Sequence, residues 1–465
     1  MLSRRSLWIV CAVAFVHGLF FIWYQQPDMA TAWSDQTGYR RLGEVLAATG
    51  KFTRFPDAPQ FVPEVIRTPA YPLFVAVIYR LFGVGQLPVA VAQTILFVGI
   101  CLLVYGAARL IVSERLAWYA ALAVALYSPI PYFGALVMTE VWTTLLFTTA
   151  CWLTIRAVAR GRTADFAWLG VILGLTALSR PAFALYPLAL AAAGVIVAPL
   201  AGRRALVREW SAMVVVFALT MLPWFAYNYR TLGVFTLSPA GGVGRGIWEG
   251  SWQARWSGRL QNELTHLADD IDDRAELDRS VRAVAAREHL SAEPMLVYVH
   301  QWEDIRRIWT SPVESSERAR ARVAADREYL RIGLDNIRAE GAGDLARRLA
   351  RGVFVLWAGE IPFRYSEINS LPPRLIHGVW AIQAAIGGMA IGGLIALARH
   401  RRAADALWLA VPLVYITVVH FPLLTEARQS LPAQPIVLLL ATIGVAQLTG
   451  HLLPFESQVH EREHL

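Results

Sequence analysis

Ten stretches of roughly 20 mostly apolar residues constrain this chain more than any other feature. They run over 7–24, 88–110, 116–137, 140–158, 165–180, 182–199, 210–227, 374–398, 405–423 and 431–450. A segment of that length and polarity crosses a bilayer as a helix, because only a helix satisfies its backbone polar groups within itself. The chain has 465 residues, 56% of them hydrophobic and 17% charged, with a mean hydropathy of +0.43. A soluble protein of this size has no room for that much apolar surface. The expected fold class is therefore an all-α polytopic membrane protein, a bundle of about 10 transmembrane helices.

Charge sets the orientation. The net charge is +8 and the pI about 9.6, yet the excess sits in short links and implies no nucleic acid. Arg109 and Arg115, then Arg156, Arg160 and Arg162, then Arg203, Arg204 and Arg208, then Arg401 and Arg402 fall on alternate links. Placing all of them in the cytoplasm satisfies the positive-inside rule and puts both termini there. The first segment ends in Trp23 and Tyr24 with no small-x-small cleavage site, so it reads as an uncleaved signal-anchor. The pattern also requires two apolar stretches to lie along the outer interface without crossing. One is 67–83, with Pro69, Pro72 and Arg80; the other is 351–363, which contains Glu360. The resulting division is a transmembrane module over 1–230 with a first outer loop at 25–87, an extracytoplasmic segment over 231–373, and C-terminal helices with a short tail over 374–465. Within the outer segment, "GIWEGSWQARW" is rich in Trp, 264–290 reads as a charged surface helix or linker, and "REYLRIGLDNIRAEGAGDLARRL" has a helical period.

Cys11, Cys101 and Cys151 lie inside apolar runs, so neither a disulfide framework nor a thiolate metal site is expected. No zinc site is expected, and no phosphate-loop or dinucleotide-binding fingerprint is present. What stands out is the polar inventory on the outer side: Asp35, Tyr39, Arg67, Glu140, Arg180, Tyr227, Asn228, Arg230, Glu249, Glu426 and Arg428. Most lie within a turn of an apolar helix end, where ionisable groups are expensive and usually functional. Each has a plainer reading. Arg180 caps a helix end, Glu140 faces a helix dipole, and Arg230 and Glu249 are solvated loop residues. The convergence on one face favours a site. Asp35 and Tyr39 are four apart, on one face of a helix. A carboxylate there accepts a proton from a hydroxyl. Arg67, Arg180 and Arg428 suit bidentate contacts to a phosphate, and Lys51 is the only lysine in the chain.

These residues, in order, resemble the motifs of the integral-membrane glycosyltransferases of the GT-C fold, among them bacterial relatives of protein O-mannosyltransferases and of the lipid A aminoarabinose transferase. The likeness runs through "SDQTGYRRLGEVLAATGKF", "RTPAYPLFVAVIYRLFG", "LYSPIPYFGALVMTE", "LGLTALSRPAFALYP", "LPWFAYNYRTLGVF", "GGVGRGIWEG" and "EARQSLPAQPIVLLLA". The first acid is a lone Asp where the protein mannosyltransferases have an Asp-Glu pair. The second is Glu140 where the aminoarabinose transferases have Asp, and Gln429 stands where Tyr is usual. The resemblance implies a polyprenyl-phosphate sugar donor, a lipid, glycan or protein acceptor, and inverting transfer at the periplasmic face of a bacterial inner membrane. It implies Asp35 as general base, with Glu140 supporting it, orienting the acceptor or, in relatives that need one, holding a metal. It places Arg67, Arg180 and Arg428 on the donor phosphate, and Tyr39, Tyr71, Asn228, Arg230, Trp248 and Glu249 around the substrate. No cofactor is firmly implied; a divalent metal has no support in the sequence. Competing readings are a lipid-linked sugar flippase, an envelope scaffold, and an oligosaccharide ligase using a polyprenyl diphosphate.

Overall fold

The structure, a computed structural model, describes residues 4–25, 34–197, 203–240, 242–253, 255–309, 314–363, 368, 370–400 and 402–450. It is helical throughout, with no strand among the described residues. The first part of the chain forms α1 (Arg4–Gln25), α2 (Ser34–Thr49), α3 (Ala70–Phe82), α4 (Gln86–Ala108), α5 (Glu114–Ala125), α6 (Pro129–Gly134), α7 (Glu140–Arg160), α8 (Thr163–Ala177), α9 (Tyr186–Val197) and α10 (Arg203–Leu232). An outer group follows: α11 (Val243–Trp252), α12 (Gly258–Asp270), α13 (Arg274–Arg287), α14 (Ala292–Trp309), α15 (Ser316–Arg338) and α16 (Ala342–Ala358). The chain returns to the bundle with α17 (Pro373–Arg399), α18 (Ala403–His420), a 3₁₀ turn at Ala427–Ala433, and α19 (Gln434–Leu448).

Among the described residues, seven helices are long and apolar enough to cross a membrane: Ser6–Gln25, Gln86–Ala108, Glu140–Arg160, Val207–Leu232, Pro373–Arg399, Ala403–His420 and Ala427–Leu448. The other three expected spans differ for local reasons. The 116–137 stretch breaks into α5 and α6, because Pro129 and Pro131 stand where the helix would continue. Over 165–180 and 182–199 the helices are the shorter Thr163–Ala177 and Pro181–Ile196, separated by the Arg180–Pro181 step. The 67–83 stretch is a 13-residue helix with Leu73, Val77, Leu81 and Phe82 exposed. The first half of 351–363 is the end of α16. The 264–290 region is neither one helix nor a linker: it holds parts of α12 and α13, started by Ser257 and Asp273 as N-caps.

One apolar core runs through α1, α4, α5, α7, α8 and α17 to α19. Close backbone contact is used where a bilayer supplies no hydrophobic drive between helices. At Gly393 and Gly444 the backbones of α17 and α19 touch, and a Cβ on either would overlap the opposing carbonyl. The outer helices have a separate aromatic core around Trp248, Trp252 and Tyr298. Asp326 on α15 caps the start of α11, accepting from the Gly244 and Arg245 amides at 3.1 Å each.

Candidate active site

The site is assembled at one end of the bundle by short-range rules that each aim a charged side chain inward. Pro181 forces Arg180 out of helical geometry, to φ −138° and ψ 113°. The α8 helix ends there and the guanidinium turns toward the start of α7. Arg180 Nη2 donates to Glu140 Oε1 at 2.6 Å, and its Nε to Thr139 Oγ1 at 3.1 Å. Glu140 is the first residue of α7 and is wholly buried. Burial there is tolerable because the helix N-terminus and two guanidiniums face the charge.

Arg428 joins the halves of the site. Its Nη1 is 3.5 Å from Glu140 Oε1, and its Nη2 lies 3.1 Å from Asp35 Oδ2. It also pairs with Glu426 at 2.9 Å. The turn that presents it is closed by Gln429, whose Oε1 accepts from the Glu426 amide at 3.1 Å and whose Nε2 donates to Leu424 O at 3.0 Å. Arg67 approaches Asp35 from the other side, Nη2 to Oδ1 at 3.5 Å. Its guanidinium fits because residue 38 is glycine; a Cβ there would overlap it. The guanidinium lies over the Tyr39 ring at 4.9 Å, Tyr39 meets Tyr71 edge to face at 5.1 Å, and the Tyr71 hydroxyl donates to Gln93 Oε1 at 3.1 Å.

The electrostatics follow from this geometry. Burial pushes the Asp35 carboxyl up, but Arg428, Arg67 and Arg180 outweigh it and hold the group below its ordinary value. Tyr39 is pushed up to about 12 by burial and then by the Asp35 charge, so it stays a phenol. The Asp35 side chain is 43% exposed; it is the open member of the cluster. Buried polar atoms are left without hydrogen-bond partners around it: Arg67 Nε and Nη1, and Glu140 Oε2. Unpaired buried donors of this kind are costly and fit an anion that is not part of the chain.

Asp35, Arg67, Glu140, Arg180 and Arg428 thus meet, with Tyr39 and Tyr71 beneath them. The other expected pocket residues stand apart. Asn228 donates to Thr236 O at 2.8 Å and ties down the turn after α10. Arg230 is exposed on α10. Trp248 is wholly buried in the outer core, stacked on Tyr298 at 5.7 Å and donating to Gln301 Oε1 at 2.5 Å; it is packing, not a pocket wall. Glu249 pairs with Arg245 one turn earlier at 2.8 Å. The expectation of no zinc site overlooks a His-Glu-x-x-His spacing at His460–His464, which lies outside the described residues.

Sequence reasoning missed Glu64. Its side chain is fully buried; Oε1 accepts from the Ile66 and Arg67 amides at 2.9 and 3.2 Å, and Oε2 from Arg54 Nε at 2.5 Å. Burial pushes its carboxyl up, and Arg54 and Arg67 more than offset that. The one signal in the sequence was an acid three residues before Arg67 in "PEVIR". Glu426 and Glu360 were visible as acids at apolar boundaries, without a role.

An apolar groove of about 1060 Å³ runs between α5, α17 and α19. It extends from Ser113, Arg115 and Thr449 at the opposite end of the bundle to Pro129, Gln383 and Pro362.

The sequence profile of the family described as dolichyl-phosphate-mannose-protein mannosyltransferase matches residues 66–227, which include Arg67, Glu140 and Arg180. No curated protein matches the sequence. Among solved structures, the chain superimposes on the apo oligosaccharyltransferase of Archaeoglobus fulgidus with a TM-score of 0.55 at 15% identity, covering 99% of this chain and 52% of that one. The same enzyme, AglB, in complex with an inhibitory peptide and a dolichol-phosphate gives 0.53 at 14% identity, covering 99% and 52%. This chain therefore spans about half the length of the archaeal protein. ArnT from Cupriavidus metallidurans bound to undecaprenyl phosphate aligns over 96% of this chain and 78% of its own, at 13% identity and a TM-score of 0.41. The helical bundle has the GT-C architecture of a multi-pass membrane protein.

Proposed function

We propose that this GT-C membrane protein is a glycosyltransferase that moves a sugar from a polyprenyl-phosphate donor to an acceptor hydroxyl, with inversion, at the periplasmic face of a bacterial inner membrane. One observation carries the reading: three guanidiniums from distant parts of the chain converge on two carboxylates, in a bundle that also carries an apolar groove between α5, α17 and α19. A lipid phosphate needs both halves of that arrangement, cations for its head and an apolar slot for its tail. The orientation is supported by the opposite end of the bundle. There the arginine-rich links meet, Arg156 pairing with Asp165 at 3.1 Å and Arg402 donating to Ile111 O.

In this reading the sugar's anomeric carbon sits between Asp35 and the arginines. Asp35 accepts the proton of the acceptor hydroxyl as its oxygen bonds to that carbon. The bond to phosphate breaks and its electron pair goes to the phosphate oxygen, where Arg67, Arg180 and Arg428 meet the developing charge. The two roles are coupled. The arginines that hold Asp35 down are the ones the phosphate would engage, so a bound donor draws positive charge off Asp35 and makes it a better base. Arg428 stands between Asp35 and Glu140, where a divalent cation bridging the two carboxylates would have to sit. The donor set does not fit a resident metal.

The test is incubation of the purified protein with a panel of labelled polyprenyl-phosphate and polyprenyl-diphosphate sugars plus envelope extract, comparing wild type with Asp35→Asn. Asp35-dependent consumption of one monophosphate donor is expected. Consumption of diphosphate donors alone would turn the reading to an oligosaccharide ligase. Equal binding of labelled lipid by both proteins, without turnover, would turn it to a flippase or scaffold.

A further inference from the structure

A buried carboxyl near the cluster takes no part in the transfer step. Glu360 follows the end of α16 in the otherwise apolar "LWAGEIPF", and the residue is 9% exposed. The segment that carries it is pinned over the inner end of the groove. The Gln383 amide donates to the Glu360 carbonyl, and its oxygen accepts from the Tyr127 hydroxyl at 3.5 Å. The Tyr132 hydroxyl donates to the Phe363 carbonyl at 2.7 Å. Gln383, Tyr127 and Pro362 themselves line the groove. The charged groups acting on Glu360 are Glu140, Arg428 and Glu426, and Tyr127 is its other titratable neighbour. Glu360 therefore stands where the groove gives way to the ion-pair cluster.

Charge balance says in which form. Arg54, Arg67, Arg180 and Arg428 already face Asp35, Glu64, Glu140 and Glu426, four guanidiniums against four carboxylates. A further carboxylate, buried, would add an unbalanced negative charge and would repel Glu140. Burial, and then the Glu140 charge, push the Glu360 carboxyl up to about 8. At neutral pH it is an O–H donor that adds no negative charge.

We propose that Glu360 is a phosphate-binding residue: held as a neutral acid where the lipid groove meets the arginine cluster, it donates its O–H to an oxygen of the donor's phosphate. This rests on the polyprenyl-phosphate reading of the site. A carboxylate here would repel the same phosphate, so ionisation of Glu360 closes the site to its donor.

The experiment is kcat/KM for sugar transfer from about pH 6.5 to about 9.5, with Kd for polyprenyl phosphate over the same range, in wild type and Glu360→Gln. Wild type is expected to hold steady to about pH 8 and then lose roughly tenfold per pH unit in both quantities. Glu360→Gln, an uncharged donor of similar size, is expected to stay within about tenfold of wild type at pH 7 and to lose the alkaline fall. A wild type that stays flat through pH 9 overturns the proposal without any variant. So does a Glu360→Gln enzyme that keeps the fall, or one that loses more than about tenfold at pH 7. Transfer and binding absent at every pH in the wild type would instead overturn the donor assignment.

Discussion

The molecule pairs its buried charges in two ways. In the outer helical segment the partners are neighbours in sequence. Arg322 meets Glu314 at 2.6 Å and Arg348 meets Glu340 at 2.9 Å, each pair eight residues apart. Glu249 takes Arg245 one turn away. At the end of the bundle the partners are strangers: Arg428 and Asp35 are 393 residues apart, Arg180 and Glu140 are 40 apart, Arg67 and Asp35 are 32 apart. Local pairs form with little loop closure and settle a helix hairpin. Distant pairs bring like charges close and persist only because the whole bundle holds them.

Substitutions should separate the two. The largest effect on chemistry is expected at Asp35. Asp35→Asn should lower transfer by about a thousandfold while leaving the thermal unfolding midpoint close to wild type, read by scanning fluorimetry. A parallel loss of folding would make Asp35 a structural ion. In the outer segment the pattern should reverse. Arg322→Met leaves the buried Glu314 charge unpaired and should cost about 3 kcal/mol in denaturant unfolding, with transfer per folded molecule unchanged.

Glu64→Gln sits between the extremes. It removes the anion that fixes the backbone of Arg67 and pairs with Arg54. We expect KM for the donor to rise about tenfold, with kcat less affected; a fall in kcat alone would take Glu64 out of phosphate positioning. A pH titration tests the same cluster. Asp35 and Glu64 both titrate below their ordinary values. Their ion pairs are intact above the usual carboxylate range and are lost as pH falls through the depressed values. Stability should therefore fall on the acid side, and Glu64→Gln should blunt that slope. The smallest expected effect is that of chelation. Because Arg428 takes the bridging place between Asp35 and Glu140, EDTA should leave transfer unchanged; full loss restored by a divalent cation would sink that assignment.

The sequence by itself determined the class of molecule. Runs of about 20 apolar residues have one stable form in a bilayer, and seven of them appear as long helices. It also determined which side chains had to be explained, because an arginine or carboxylate at an apolar helix end is costly wherever it points. Local grammar was readable too: Arg180–Pro181 ends a helix, and Pro129 and Pro131 break one. What the sequence left open was which charges meet. Trp248 and Glu249, in a motif as suggestive as any, went into the outer core and a one-turn ion pair. Glu64, unremarked, turned out to hold Arg67. Pairing across hundreds of residues depends on how helices pack, and packing is fixed by backbone approaches such as Gly393 on Leu440 and Gly38 under Arg67, which no spacing along the chain encodes.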